Sequence, residues 1–131
     1  MDMSQKKILV TEDEDALRDM LVMVLKDEDY QVDSASDGKA AWELLNQNKY
    51  DLLVTDLFMP EMNGAELTSK CRNAYPETKI LLLSGGGREL EAEHRNPIVK
   101  FEGETIEVDL FMKKPCNLNE LLSVVEELLD N

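Results

Sequence analysis

The feature that most narrows what this chain can fold into is an alternation of two periods. Three compact runs, Lys7–Thr11 (KILVT), Leu52–Asp56 (LLVTD) and Lys79–Ser84 (KILLLS), are apolar at successive positions rather than at every second one. A strand apolar on both faces belongs inside a parallel sheet covered on both sides. A weaker run at 30–35 (YQVDSA) alternates as an outer strand would, and a fifth, at 109–112 (DLFM), comes late. Between these runs the period becomes helical. Leu17, Met20, Leu21 and Val24 follow the i, i+3, i+4, i+7 pattern behind the acidic start Glu14 and Asp15, as an amphipathic helix does. Leu118, Leu121, Leu122, Val125, Leu128 and Leu129 form a second such face, opened by Asn117 with Glu120 three residues on, the spacing of a capping box. Two shorter helices follow Asp37-Gly38 and Asn63-Gly64, each behind a good N-cap residue. Strand and helix in strict alternation predict a parallel sheet with helices on both faces, because a parallel crossover needs a dozen or more residues. With 131 residues, one domain, residues 1–131, fills the chain.

Charge then excludes classes of ligand. Fourteen basic against 28 acidic residues give a net charge of −14. A nucleic-acid binder draws its affinity from Lys and Arg neutralising phosphates, and an anionic membrane repels such a chain for the same reason. Neither nucleic acid nor membrane is an expected partner. The two cysteines, Cys71 and Cys116, form no Cys-x-x-Cys pair and no disulfide framework, which fits a reducing, cytoplasmic setting. The apolar runs are far too short to cross a bilayer, and the stretch after Lys6 and Lys7 is too short for a signal peptide.

In open parallel sheets the ligand lies beyond the carboxyl ends of the strands, and the residues found there form one chemical set. The first strand runs into Glu12, Asp13, Glu14 and Asp15; the central one ends in Asp56; KILLLS ends in Ser84 and a Gly85-Gly86-Gly87 loop; the last runs into Lys113-Lys114-Pro115. Clustered carboxylates repel one another unless a cation joins them, and hard carboxylate oxygens suit Mg²⁺ or Mn²⁺. Glu12, Asp13 and Asp56 against Lys114 leave a net charge of about −2, which one divalent ion balances. A phosphoryl group then has a place to enter.

At these residues the chain resembles the response-regulator receiver domains of bacterial two-component signalling, over nearly its whole length. ILVTEDEDALRDML is similar to the family's acidic-pair start, DLLVTDLFMPEMNG to its phosphoacceptor strand and turn, ILLLSGGG to its Ser/Thr strand, and FMKKP to its Lys-Pro end. The order and spacing of the four carry the likeness. The resemblance implies a flavodoxin-like, doubly wound five-stranded sheet of order 2-1-3-4-5. It implies Asp56 as phosphoacceptor, with Asp13 and Asp56 binding Mg²⁺ directly, Glu12 assisting through water and the backbone carbonyl of Phe58 completing the ligands. Lys114 would hold the phosphoryl oxygens, Ser84 would bond one of them, and Phe111 occupies the aromatic switch position, coupled to Ser84. It further implies a cis Lys114-Pro115 bond, and a sensor histidine kinase or histidine phosphotransfer protein as donor. A downstream protein would be the target, and no enzymatic activity is implied beyond the chain's own phosphorylation and dephosphorylation. Because Met1 opens just before the first strand and Asp130-Asn131 trails off, a stand-alone receiver is expected.

Competing chemistries fail on spacing. A haloacid-type phosphatase requires a second Asp two residues after the nucleophile, where Phe58 stands; a flavin phosphate would meet four acids after the first strand; and Leu17 breaks an EF-hand loop begun at Asp13. The surviving rival is a non-phosphorylated interaction module on the same fold. Glu14 and Asp15 read as helix N-terminal charges, Pro60 with Asn63-Gly64 as turn chemistry, His94 as a surface residue, and Trp42, Cys71 and the methionines as packing.

One segment departs from the pattern. Ser84 and Lys114 are 30 positions apart, and within residues 88–96 only Leu90 and Ala92 are apolar, so a helix there has almost nothing to bury before Pro97 ends it. Residues 98–101 and 105–108 are rich in β-branched and aromatic types and flank Glu102-Gly103-Glu104. A short or irregular fourth helix followed by a hairpin is expected, giving a target-binding face unlike that of relatives.

Overall fold

A computed structural model describes residues 5–59, 61–84, 90–91, 98–101, 104–114 and 117–130. The elements in chain order are β1 (Lys7–Thr11), α1 (Asp15–Asp27), β2 (Gln31–Ala35), α2 (Gly38–Gln47), β3 (Leu52–Asp56), α3 (Gly64–Ala74), β4 (Lys79–Ser84), β5 (Leu90–Glu91), β6 (Ile98–Phe101), β7 (Glu104–Glu107), β8 (Leu110–Lys113) and α4 (Leu118–Leu129). Five strands pair in parallel in the order β2-β1-β3-β4-β8, the expected 2-1-3-4-5 arrangement with β8 as its fifth member.

Strand geometry sends successive side chains to opposite faces, so each both-face apolar run feeds two cores. Ile8, Val10, Leu52, Val54, Leu81, Leu83, Leu110 and Met112 pack beneath Leu21 and Leu25 of α1 and Leu121, Val125 and Leu128 of α4. Leu9, Leu53, Ile80, Leu82 and Phe111 face the other way, onto Ala41 and Leu45 of α2 and Leu67 and Cys71 of α3. The anticipated caps form: Asp37, Asn63 and Asn117 each accept a backbone N–H three residues on.

The segment between β4 and β8 bears out the expected hairpin, and of the stretch where a short or irregular helix was expected only two residues are described. Residues 90–91, inside the stretch where a short or irregular helix was expected, are strand β5, paired antiparallel with β6. The remainder of that stretch lies outside the described residues. The hairpin is present as β6 and β7, with Phe101 opposite Glu104. Two residues, not three, separate its paired ends, so its second strand is 104–107 rather than 105–108. Ile106 and Val108 are 2% and 1% exposed and join the core under α2 and α3, and β7 packs on α3. β8 begins one residue later than predicted, because Asp109 turns its carboxylate back onto the N–H of Ile80.

Pro60, Gly85-Gly86-Gly87, His94, Cys116 and the Lys114-Pro115 bond, with its expected cis geometry, lie outside the described residues.

Candidate functional site

The C-terminal ends of β1, β3, β4 and β8 converge, and their order in the sheet brings together residues far apart in sequence. Glu12 follows β1 and is 1% exposed; Asp56 ends β3 and is 6% exposed; Asp13 beside them is exposed. One carboxylate oxygen from each of Glu12, Asp13 and Asp56 lies within 4.8 Å of the other two. Lys114, just beyond β8, donates from Nζ to Glu12 Oε1 at 2.6 Å and stands 3.2 Å from Asp56 Oδ2. Its backbone N–H bonds the carbonyl of Ser84 at 2.7 Å, so the lysine is fixed at both its main chain and its tip.

The other oxygens are also engaged. Asp56 Oδ1 accepts the N–H of Leu57 at 2.9 Å, and Glu12 Oε2 accepts that of Glu14 at 3.1 Å. Burial pushes the Asp56 carboxyl above the ordinary carboxylate range, against the pull of Lys114 and the Leu57 N–H. Burial raises Glu12 likewise, opposed chiefly by its hydrogen bond from Lys114. For Lys114 burial acts downward, but the hydrogen bond to Glu12 and the charges of Asp56 and Glu12 outweigh it, and the ammonium holds its proton more tightly than usual. One half-buried ammonium does not balance three carboxylates, so the arrangement favours further positive charge. Hard oxygen donors that are partly desolvated and pre-gathered fit a Mg²⁺-type ion.

Of the other predicted site residues, Ser84 is fully buried at the end of β4, where it lies opposite Lys113 in register. Phe58 lies on the turn two residues past Asp56 and is 44% exposed. Phe111, on β8, is fully buried in the core that holds Ile106 and Val108.

Two residues that matter to the site were not singled out by the sequence. Gly64, read as turn chemistry, opens α3 so close to β3 that a Cβ would lie 2.1 Å from the carbonyl oxygen of Asp56; any side chain there would displace β3. Arg18, one turn into α1, donates to the backbone carbonyl of Glu12 at 2.9 Å and to Asp15 at 2.6 Å. The Asp15 to Arg18 spacing of an i, i+3 helical ion pair was the available signal for it.

The model of the response regulator receiver domain family matches residues 8–126. Among curated proteins, the transcriptional regulatory protein SrrA of Staphylococcus aureus (strain NCTC 8325 / PS 47) is 32% identical over 123 residues, which is 94% of this chain and 47% of SrrA. The chain thus spans about half the length of the curated relatives it matches. Among solved structures, response regulator protein TrrA of Thermotoga maritima in complex with Mg²⁺-BeF is 28% identical with a TM-score of 0.79, covering 95% of this chain and all of TrrA. Chemotaxis response regulator CheY4 of Vibrio cholerae is 26% identical with a TM-score of 0.80, covering 96% of this chain and all of CheY4.

Proposed function

The chain belongs to the response regulator receiver domain family, and from that premise we propose that Asp56 accepts a phosphoryl group in a two-component signalling pathway. The observation that carries the proposal is the bridging of buried Glu12 and Asp56 by Lys114, with Asp13 in reach of both. No structural need explains such a cluster, because burying unbalanced carboxylates costs folding free energy.

Asp13 and Asp56 would hold Mg²⁺ directly, with the Phe58 carbonyl as a further ligand. Glu12 would act through water, as suits a carboxylate whose two oxygens already serve Lys114 and Glu14. The bound ion supplies charge neutralisation of a phosphoryl group; Mn²⁺ has the same ligand preference. The chain's own residues do the rest. Asp56, held by the Leu57 N–H, presents a carboxylate oxygen to phosphorus. An O–P bond forms as the P–N bond of a phosphohistidine on a sensor kinase or phosphotransfer protein breaks, and the electron pair leaves with the imidazole. Lys114 transfers its contact from Asp56 to the incoming phosphoryl oxygens, and Ser84, on the neighbouring strand end, bonds another. The chain acts only on itself, as acceptor and as catalyst of its own dephosphorylation. Its output is altered affinity for a downstream protein, through the coupling of Ser84 to Phe111. The acidic surface supports a protein target rather than nucleic acid. No helix among the described residues is long and apolar enough to cross a membrane, which is compatible with action in the cytoplasm.

The test is incubation with acetyl phosphate with and without Mg²⁺, followed by intact-mass spectrometry. A Mg²⁺-dependent adduct that hydroxylamine removes, and that Asp56→Asn abolishes, is expected. An adduct that survives in Asp56→Asn refutes the assignment, and no adduct under any donor leaves the non-phosphorylated interaction module as the function of this fold.

A further inference from the structure

The loop that presents Glu12 and Asp13 is held differently from the other helix starts. Helices α2, α3 and α4 begin with a side-chain cap from Asp37, Asn63 and Asn117. At α1 the N-cap residue, Glu14, makes no side-chain cap bond. The backbone carbonyl of Glu12, the first past β1, instead receives Arg18 Nη1 at 2.9 Å, while Nη2 of the same guanidinium grips Asp15 Oδ1 at 2.6 Å. The Arg18 side chain is only 17% exposed although its partner Asp15 is 85% exposed. One planar, rigid donor fork therefore ties down the residues on either side of Asp13, the most exposed of the three site carboxylates.

We propose that Arg18 is a positioning residue for the metal site: by clamping the Glu12 carbonyl and the Asp15 carboxylate it fixes the β1–α1 loop, and so the aim of Asp13, without touching metal or substrate itself. The inference rests on the reading of the site as a Mg²⁺-dependent phosphoacceptor. It makes a prediction of counter-intuitive sign. A guanidinium beside a cation site repels the cation, so through charge alone its removal tightens Mg²⁺ binding. Through geometry its removal loosens binding, because Asp13 is no longer held where its oxygen meets those of Glu12 and Asp56. Groups that orient metal ligands are commonly worth ten- to a hundredfold in affinity.

The experiment is calorimetric titration of Mg²⁺ into the wild-type chain, Arg18→Met, Arg18→Lys and Asp15→Asn, with thermal unfolding of each. Arg18→Met keeps the apolar stem and loses every donor; about tenfold weaker Mg²⁺ binding is expected. The rate of Asp56 phosphorylation by acetyl phosphate should return to the wild-type value at saturating Mg²⁺. Arg18→Lys retains the charge and one donor and should fall between. Asp15→Asn leaves the Glu12 contact in place and should bind Mg²⁺ within about threefold of wild type. Folded Arg18→Met that binds Mg²⁺ as tightly as wild type, or more tightly, overturns the inference, as does a lowered maximal rate that Mg²⁺ does not restore. If Arg18→Met does not fold, Arg18→Lys decides: Mg²⁺ binding equal to wild type overturns the clamp. Wild-type protein that binds no Mg²⁺, or forms no Asp56-dependent adduct, would instead refute the underlying reading, and the clamp with it.

Discussion

On one face of the parallel sheet, helices α1 and α4 seal Ile8, Val10, Leu81 and Leu83 with Leu21, Leu25, Leu121 and Val125. On the other, among the described residues, α2 and α3 share the cover with strand β7 and the turn after it, which add Ile106 and Val108 to the core that holds Phe111. The interiors are equally closed to solvent at their centres: Leu121 and Phe111, one from each, are both fully buried. What a sheet face requires is apolar side chains delivered at the right spacing, and a strand delivers them at every second residue. Thr105 and Glu107 point to solvent while Ile106 and Val108 point inward. The helical cover is tied down by an amphipathic stripe along its whole length; the strand cover depends on a few residues.

The sharpest way to break this comparison is to hollow out both faces. Phe111→Ala should cost about 3–5 kcal/mol and Leu121→Ala about 2–5 kcal/mol in urea unfolding at fixed m-value. Ile106→Ala should reach the range of Leu121→Ala if β7 is a true core layer. A cost below about 1 kcal/mol at Ile106, against several at Leu121, would show that the strand merely lies on a core completed without it.

Legibility in the sequence followed the same division. The three central strands could be read to the residue, because a run apolar on both faces admits one placement. The caps at Asp37, Asn63 and Asn117 could be read because short polar residues before an apolar stripe have a local mechanism. The hairpin strands were visible in their β-branched residues, with the second misplaced by one position. β5 was not, since Leu90 and Glu91 are too short to show any period. In the site, residue identities were legible from the strand ends. Their connections were not: Lys114 bonds Glu12 across 102 positions, and Arg18 reads locally as an ordinary exposed-face helix charge.

The anchoring of the strand-covered face gives the next test. Asp109 Oδ2 receives both the Ile80 N–H at 2.7 Å and Arg72 Nη2 at 3.2 Å, joining the end of the hairpin unit to β4 and α3. Arg72 Nε is buried without a partner among the described residues, so the pair has no reserve. Asp109→Ala should cost about 1–3 kcal/mol by stranding two donors. Asp109→Asn, which keeps an acceptor for Ile80, should cost less; equal losses in the two variants would show that charge rather than the hydrogen bond anchors the hairpin.

The charged end shared by both faces should respond to pH in the opposite sense from an ordinary paired carboxylate. Burial holds Asp56 and Glu12 above the usual carboxylate values of 3.8 and 4.5, so in that window the folded chain binds more protons than the unfolded one. Their favourable contribution is complete below the unfolded values and is lost as pH rises through the raised ones. In chelator, Tm should therefore fall as pH rises above about 4 on account of this pair, and Asp56→Asn should flatten the fall and raise Tm once the wild-type pair is ionised. Added Mg²⁺ should stabilise wild type and not Asp56→Asn. A wild-type Tm that climbs with pH in chelator, with the Asn variant unchanged, would show the site carboxylates to be already balanced.

The smallest expected effect returns to the two faces through their turns, since among the described residues each has one non-glycine residue in the left-handed region. Asp29, with φ of 68°, follows the C-cap of α1, and its N–H bonds the carbonyl of Lys26. Glu61, also at 68°, lies between β3 and α3. The left-handed conformation costs an L-residue about 1–2 kcal/mol, and Asp tolerates it better than Glu because its short side chain can bond locally. Replacement by glycine removes that cost and adds some chain entropy to the unfolded state. Glu61→Gly should thus gain about 0.5–1 kcal/mol, and Asp29→Gly less. Equal gains at both sites would mean that side-chain identity is irrelevant there. A loss at Glu61 would mean that its side chain holds the turn behind Asp56, and then phosphorylation rate, measured on the same variant, should fall with it.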